Sequence, residues 1–296
     1  MPGPVTLLDG GMGQELIRRI GVPPKPLWST WVMMERPDLV EAVHREFVEA
    51  GAEVLTLNTY SATPRRLGRH GAADQFAALH GAAVAIAKRA CIGAGRPVRL
   101  AGCLPPLENS YRPDLAVPED TALKEFAELC AMQAPHVDLF IAETMAAKTE
   151  AVAATRAAAA TGLPIWTALT VDDDDGTRLR SGEPVAEVAE AVVEAGASAL
   201  LLNCSRPEAI TAGLTHLAGF GVPFGAYANG FTGVVPLGPN QPVDVLKARL
   251  DLDPDAYADH VDAWIASGAT IVGGCCEVGP AHIAEIARRL QPQAAL

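Results

Sequence analysis

The stretch VEAGASALLLNCSRPEAI, residues 193–210, carries one full structural period of the chain. Its first residues close an amphipathic helical pattern over Val185–Ala195. Gly196 then stands where a helix ends on a left-handed residue, a conformation glycine takes without strain. Ala199–Asn203 follows as a short apolar run without alternation, as expected of a strand covered on both faces. The run ends in Asn203 and Cys204, and Pro207 opens the next helical pattern, Pro207–Leu217.

The same order recurs outward in both directions. Ala-Gly-Ala at 50–52 and Ser-Gly-Ala at 267–269 repeat the joint between helix and strand. Candidate strands are Val5–Leu8, Val54–Asn58, Val98–Ala101, Leu139–Ala142, Ile165–Leu169, Ala199–Asn203, Phe224–Tyr227 and Thr270–Gly273. Helical patterns fall between them at Pro37–Ala50, Asp74–Ala90, Glu119–Met132, Lys148–Ala160, Val185–Ala195, Pro207–Leu217, Asp255–Ser267 and Pro280–Leu290. Eight strand–helix alternations predict an α/β fold, a (β/α)8 TIM barrel, as a single domain over residues 1–296. An open doubly wound sheet is the rival. The count of eight and the lack of a GxGxxG fingerprint favour the barrel, since Asp9-Gly10-Gly11-Met12-Gly13 has the wrong spacing for a dinucleotide. Residues 171–183 and 229–253 read as longer loops, and the four aspartates at 172–175 as a solvated acidic run.

Composition narrows the function classes. Hydrophobic residues make up 49% of the chain and charged ones 20%, enough to bury a large core. The formal net charge of −12 argues against nucleic-acid binding, which needs basic patches. The N-terminal MPGPVTLLDGG has neither a basic start nor a long apolar run, so no signal peptide is expected, and no membrane span either. These features predict a cytoplasmic protein. Thiols stay reduced there, and clustered cysteines point to metal or catalysis rather than disulfides.

Barrel enzymes place their sites at the C-terminal ends of the strands. Read in order, those ends carry Asp9-Gly10-Gly11, Asn58-Thr59-Tyr60, Gly102-Cys103, Glu143-Thr144, Thr170, Asn203-Cys204, Tyr227-Ala228-Asn229-Gly230 and Gly273-Gly274-Cys275-Cys276. Cys204, Cys275 and Cys276 thus meet on one face. Soft thiolates select zinc, and three protein ligands leave a fourth position open. Neighbouring residues of a regular strand point to opposite faces. Cys275 and Cys276 therefore share a metal only where the strand has ended, and Gly273 and Gly274 allow an irregular backbone there. The competing reading makes the pair core filling or a redox pair. Cys91 and Cys130 lie in helical patterns and read as packing residues, and Cys103 stays ambiguous. Asp9 and Glu143 are carboxylates at the same mouth, able to hold an amino group.

The ordered motifs LLDGGMGQEL (7–16), PLWSTWVMMERPDLVEAVHREFVEAGAEVLTLNTYSATP (26–64), DLFIAET (138–144), LLNC (201–204), YANG (227–230) and GGCC (273–276) cover nearly the whole chain. Together they resemble the homocysteine S-methyltransferase family, zinc-dependent (β/α)8 barrels that methylate homocysteine to methionine. The resemblance implies Zn2+ on Cys204, Cys275 and Cys276, with no other catalytic residue. It implies that Asp9, Gly10, Glu143 and Asn203 hold homocysteine, Gly10 and Asn203 through backbone. The methyl donor is expected against Trp28, Tyr60, Thr144 and Asn229, with aromatic faces receiving a cation. Leu-Trp-Ser at 27–29 and Ala-Thr-Pro at 62–64 look closer to the branch that uses S-methylmethionine than to the betaine branch. The chain departs from the family's pattern after the third strand (GCLPPLENSYRPD) and at Ala228, both at the donor side. The partners implied are homocysteine and a small methyl donor, with the chain a monomer or small homo-oligomer. The alternatives are methylation of another thiol or selenol such as selenocysteine, and a barrel lyase or aldolase that uses Glu143 or Asp9 with incidental cysteines. A tricysteine site that has lost its metal is expected to oxidise, pairing Cys204 with Cys275 or Cys276.

Overall fold

The computed structural model describes residues 4–23, 25–234 and 246–291. The predicted loop at 229–253 therefore lies partly outside the described residues, as do the two ends of the predicted domain. Strands β1 (Thr6–Leu7), β2 (Val54–Thr56), β3 (Arg99–Leu104), β4 (Leu139–Met145), β5 (Ile165–Leu169), β6 (Ala199–Asn203), β7 (Phe224–Tyr227) and β8 (Ile271–Val272) form one sheet. All pairings are parallel, in the order β1-β8-β7-β6-β5-β4-β3-β2. A parallel bridge from Leu8 to Val54 brings the two ends of that order together, so the sheet curls into a (β/α)8 barrel.

Parallel strands need long crossovers, and helices supply them. The predicted helices appear as α3 (Pro37–Glu49), α5 (Phe76–Ala90), α6 (Glu119–Gln133), α7 (Lys148–Ala159), α8 (Val185–Glu194), α9 (Pro207–Leu214), α10 (Pro254–Ala266) and α11 (Pro280–Leu290). The joints after α3, α8 and α10 turn as expected, with Gly51, Gly196 and Gly268 at φ of 115°, 110° and 102°. The structure adds α1 (Met12–Ile20), α2 (Trp28–Glu35) and α4 (Pro64–Arg69). Glycines at 10, 11 and 13 disguise the start of α1 as a loop. α2 escapes periodicity because Ser29–Met33 are all buried, leaving no polar face to mark a period.

Two cores follow from the two-residue period of the strands. Leu200 and Leu202 of β6 point outward into the layer between sheet and helices, with Phe140 and Ala142 of β4. Ala199, Leu201, Leu139 and Ile141 point inward and fill the barrel with Leu8, Val54, Ala101, Trp166, Tyr227 and Ile271. Continuing each inward row by two residues reaches the rim, and that continuation places the site.

Candidate active site

Inward residues at the C-terminal rim are chemical rather than apolar. Glu143 continues the row Leu139–Ile141 on β4, and Cys103 continues from Ala101 on β3. Thr56 continues from Val54 on β2 and reaches Asp9, just past β1. Its amide donates to Asp9 Oδ2 at 2.8 Å and its hydroxyl to Oδ1 at 3.3 Å. The Cys103 thiol donates to Glu143 Oε1 at 2.9 Å. Gln133 of α6 fixes Cys103 in turn, accepting from its amide and donating to its carbonyl.

Both carboxyls hold their protons more tightly than usual. Burial pushes Asp9 up to about 8, against the pull of the Thr56 amide, and the Glu143 charge adds to the rise. Burial likewise pushes Glu143 up to about 7, opposed by the Cys103 hydrogen bond. Two carboxyls in one cavity, both held toward their neutral forms, favour a cation between them, whose arrival would restore their ionised forms.

Beyond β6 and β8 the three rim cysteines come together. Their sulfurs lie within 4.8 Å of one another, and they are the group among the described residues with the side chains to hold a metal ion. Cys204 and Cys275 are joined as a disulfide and Cys276 is a free thiol. This is one of the two pairings expected of an oxidised tricysteine cluster. Cys204 takes φ 52°, so it leaves the strand line as β6 ends. As expected, the strand has ended before Cys275, since β8 stops at Val272, though neither Gly273 nor Gly274 has positive φ. They are glycines because a Cβ at Gly273 would strike Leu8 and one at Gly274 would strike Val278. The left-handed turn falls later, at Glu277 (φ 66°).

One cavity connects these groups. Asp9, Gly10, Glu143, Trp28, Tyr60, Thr144 and all three cysteines line it, with Leu8, Leu57 and Ile141 as apolar wall. Trp28 enters from a strained turn in which Leu27 (φ 68°) and Trp28 (φ 47°) are both left-handed. Its ring lies edge-to-face with Tyr60, centroids 6.5 Å apart, and its indole N–H has no partner. Tyr60 is more committed. Its hydroxyl pairs with Ser110 at 2.7 Å, and the Arg66 guanidinium sits over its ring at 5.1 Å.

Two predicted residues stand elsewhere. Asn203 and Asn229 are fully buried and do not reach the cavity. The Asn203 side chain accepts from the Thr144 amide at 2.9 Å and donates to its hydroxyl at 3.1 Å, holding Thr144 at φ 63°. Asn229 Oδ1 accepts from Phe231 N. The sequence places Tyr227 at a strand end without marking a role for it, and does not single out Tyr111. Tyr227 lines the cavity with an unpartnered hydroxyl; it lies in the inward row of β7, where parity was the available signal. Tyr111 comes from the loop after β3 and donates to Cys204 Sγ at 3.3 Å; no period marks it. The acidic run is also not uniformly solvated. Asp173 is nearly buried and accepts from the amides of Arg206 and Val234, whereas Asp174 stands in solvent.

Fold and site together define a parallel (β/α)8 barrel whose mouth sets a three-cysteine cluster and two carboxyls, buried Asp9 and half-buried Glu143, in one cavity. The sequence model of the homocysteine S-methyltransferase family matches residues 6–290, and the chain belongs to that family. It is 30% identical to the homocysteine S-methyltransferase of Escherichia coli, across 96% of this chain and 95% of that one. Among solved structures it resembles the E. coli homocysteine methyltransferase MmuM in its metallated form, with 28% identity and a TM-score of 0.80, covering 97% and 96% of the two chains. The oxidised form of that protein gives 27% identity and the same TM-score over 96% of each chain. Among the described residues no helix is long and apolar enough to cross a membrane.

Proposed function

We propose that this chain transfers a methyl group from a small onium donor of the S-methylmethionine type to the thiol of homocysteine, with zinc held by Cys204, Cys275 and Cys276. The observation that carries the reading is the convergence of three sulfurs within 4.8 Å at a barrel mouth that also presents Asp9 and Glu143. The donor set fits zinc, because three soft thiolates satisfy its preference and leave one position for a substrate. Such a metal would let a bound thiol ionise at neutral pH.

The remaining work falls to the chain's own residues. Asp9 and Glu143 bind the ammonium group of homocysteine, and its charge draws both carboxyls back to their ionised forms. Gly10 lines the same cavity, and its lack of a side chain lets the backbone there pack against Val278 and Phe47. Leu8, Leu57 and Ile141 exclude water from the path between sulfur and methyl group. Trp28 lines the cavity and is the aromatic ring we assign to the donor cation, with Tyr60 already engaged by Arg66 on one face. In the transfer the thiolate sulfur forms a bond to the methyl carbon while the donor's bond to that carbon breaks. The electron pair leaves with the donor as a neutral thioether or amine. Holding the two partners in line is the main contribution the site makes to the rate.

The test is metal analysis and turnover of protein purified under reducing conditions. One zinc per chain is expected, with methionine formed from homocysteine and at least one of S-methylmethionine, S-adenosylmethionine or betaine. Fully metallated, reduced protein that forms no methionine with any of them overturns the reading.

A further inference from the structure

The β3 loop delivers Tyr111 to the sulfur cluster in an unusual conformation. Its φ of 63° lies in the left-handed region, uncommon for a bulky side chain, and the residue is nevertheless buried. Its hydroxyl donates at 3.3 Å to Cys204 Sγ, which in this structure is a disulfide sulfur and stands in for the thiolate of the reduced cluster. Packing alone asks only for a ring here; a buried hydroxyl needs a partner, and the partner found is sulfur.

The ring is in turn capped by Arg180, whose guanidinium carbon lies 5.0 Å from its centroid. Arg180 comes from the loop after β5 and is itself fixed on every side. It pairs with Asp173 at 3.2 Å, and both side chains are nearly buried. Its Nε donates to the Thr170 hydroxyl at 3.1 Å. Thr170 donates to the Cys204 carbonyl and shares a hydrogen bond with Ser205. A cation over a phenol ring withdraws charge from it and makes its O–H a better donor. The direction of the chain is thus from Arg180 through Tyr111 to sulfur.

We infer that Tyr111 is a positioning residue for the reduced three-cysteine centre, acting by a hydrogen bond to the Cys204 sulfur, and that Arg180 acts through Tyr111 rather than on the centre directly. The inference rests on the metal-binding reading of the three cysteines. Hydrogen bonds around a metal's ligands tune both retention of the metal and charge donation by the ligand. A thiolate that loses such a bond holds its lone pairs at higher energy.

Reduced protein titrated with Co(II) reads this without turnover. For Tyr111→Phe, metal affinity measured by chelator competition is expected to fall about 10-fold. The sulfur-to-cobalt charge-transfer band should move to longer wavelength. Arg180→Met should shift both in the same direction by less, and the double variant should match Tyr111→Phe alone. A Tyr111→Phe variant with unchanged band and affinity overturns the role of Tyr111, because lost packing would not move the band selectively. An Arg180→Met effect that persists in the Tyr111→Phe background overturns the coupling. Wild-type protein that binds no Co(II) overturns the metal reading itself, and this inference with it.

Discussion

Glu143 is held where its charged form is costly, and the sign of that cost is testable. Its folded value rises from 4.5 to about 7 because of burial. A carboxyl raised in the folded state keeps its proton longer folded than unfolded. Its contribution to stability is therefore intact below about pH 4 and is lost as pH rises through about 7. The loss amounts to at most ~3 kcal/mol for a shift of this size. Glu143→Gln removes the charge and can still accept from Cys103. Without substrate, the variant should melt at higher temperature than the parent at pH 8, and the gap should close toward pH 4. The same change should raise the homocysteine KM by roughly 10- to 100-fold, as expected when a charge-assisted hydrogen bond of about 1.5–3 kcal/mol is lost. A melting gap that is flat with pH would remove burial of the carboxylate as the cause. An unchanged KM would remove Glu143 from substrate binding.

At the scale of elements, the strands carry the parts of the site that sequence shows and the loops carry those it hides. Asp9, Glu143 and the three cysteines fall at strand ends, where a period of two and a count of eight locate them. Asn203 also falls at a strand end, but its side chain turns to Thr144, and parity alone gives no hint of that. Tyr111 and Arg180 come from loops whose paths follow no period. Within the acidic run 172–175, composition cannot single out Asp173. In the structure Asp173 ties together three connections, accepting from the Arg206 and Val234 amides and pairing with Arg180. Removing one partner of a nearly buried ion pair leaves the other uncompensated, at a cost of about 3–5 kcal/mol. Asp173→Ala should therefore lower the unfolding free energy measured by denaturant titration by that order, whereas Asp174→Ala, at an exposed carboxylate, should change it little. Equal effects from the two would show that the loop is not pinned through Asp173.

For the whole molecule, the sulfur cluster joins the ends of β6 and β8, with Cys204 and Cys275 separated by 71 residues in sequence. Either a disulfide or a metal can make that join, and the two exclude each other at Cys204 and Cys275. Oxidation should therefore act as a switch between a bridged, metal-free chain and a reduced, metal-binding one. A ligand that binds only the folded state stabilises it by mass action, about 2.7 kcal/mol at a hundredfold excess over its Kd. Reduced protein is expected to gain several degrees in Tm on adding zinc and to lose them on chelation. Protein oxidised with diamide should show no zinc-dependent shift, and its digest should contain a peptide pair linked through Cys204 and Cys275. Adding a thiol reductant to that sample should restore both the zinc response and methyl transfer. Zinc stabilisation that survives full oxidation would place the metal away from these two cysteines and break the link between the cluster and the reaction.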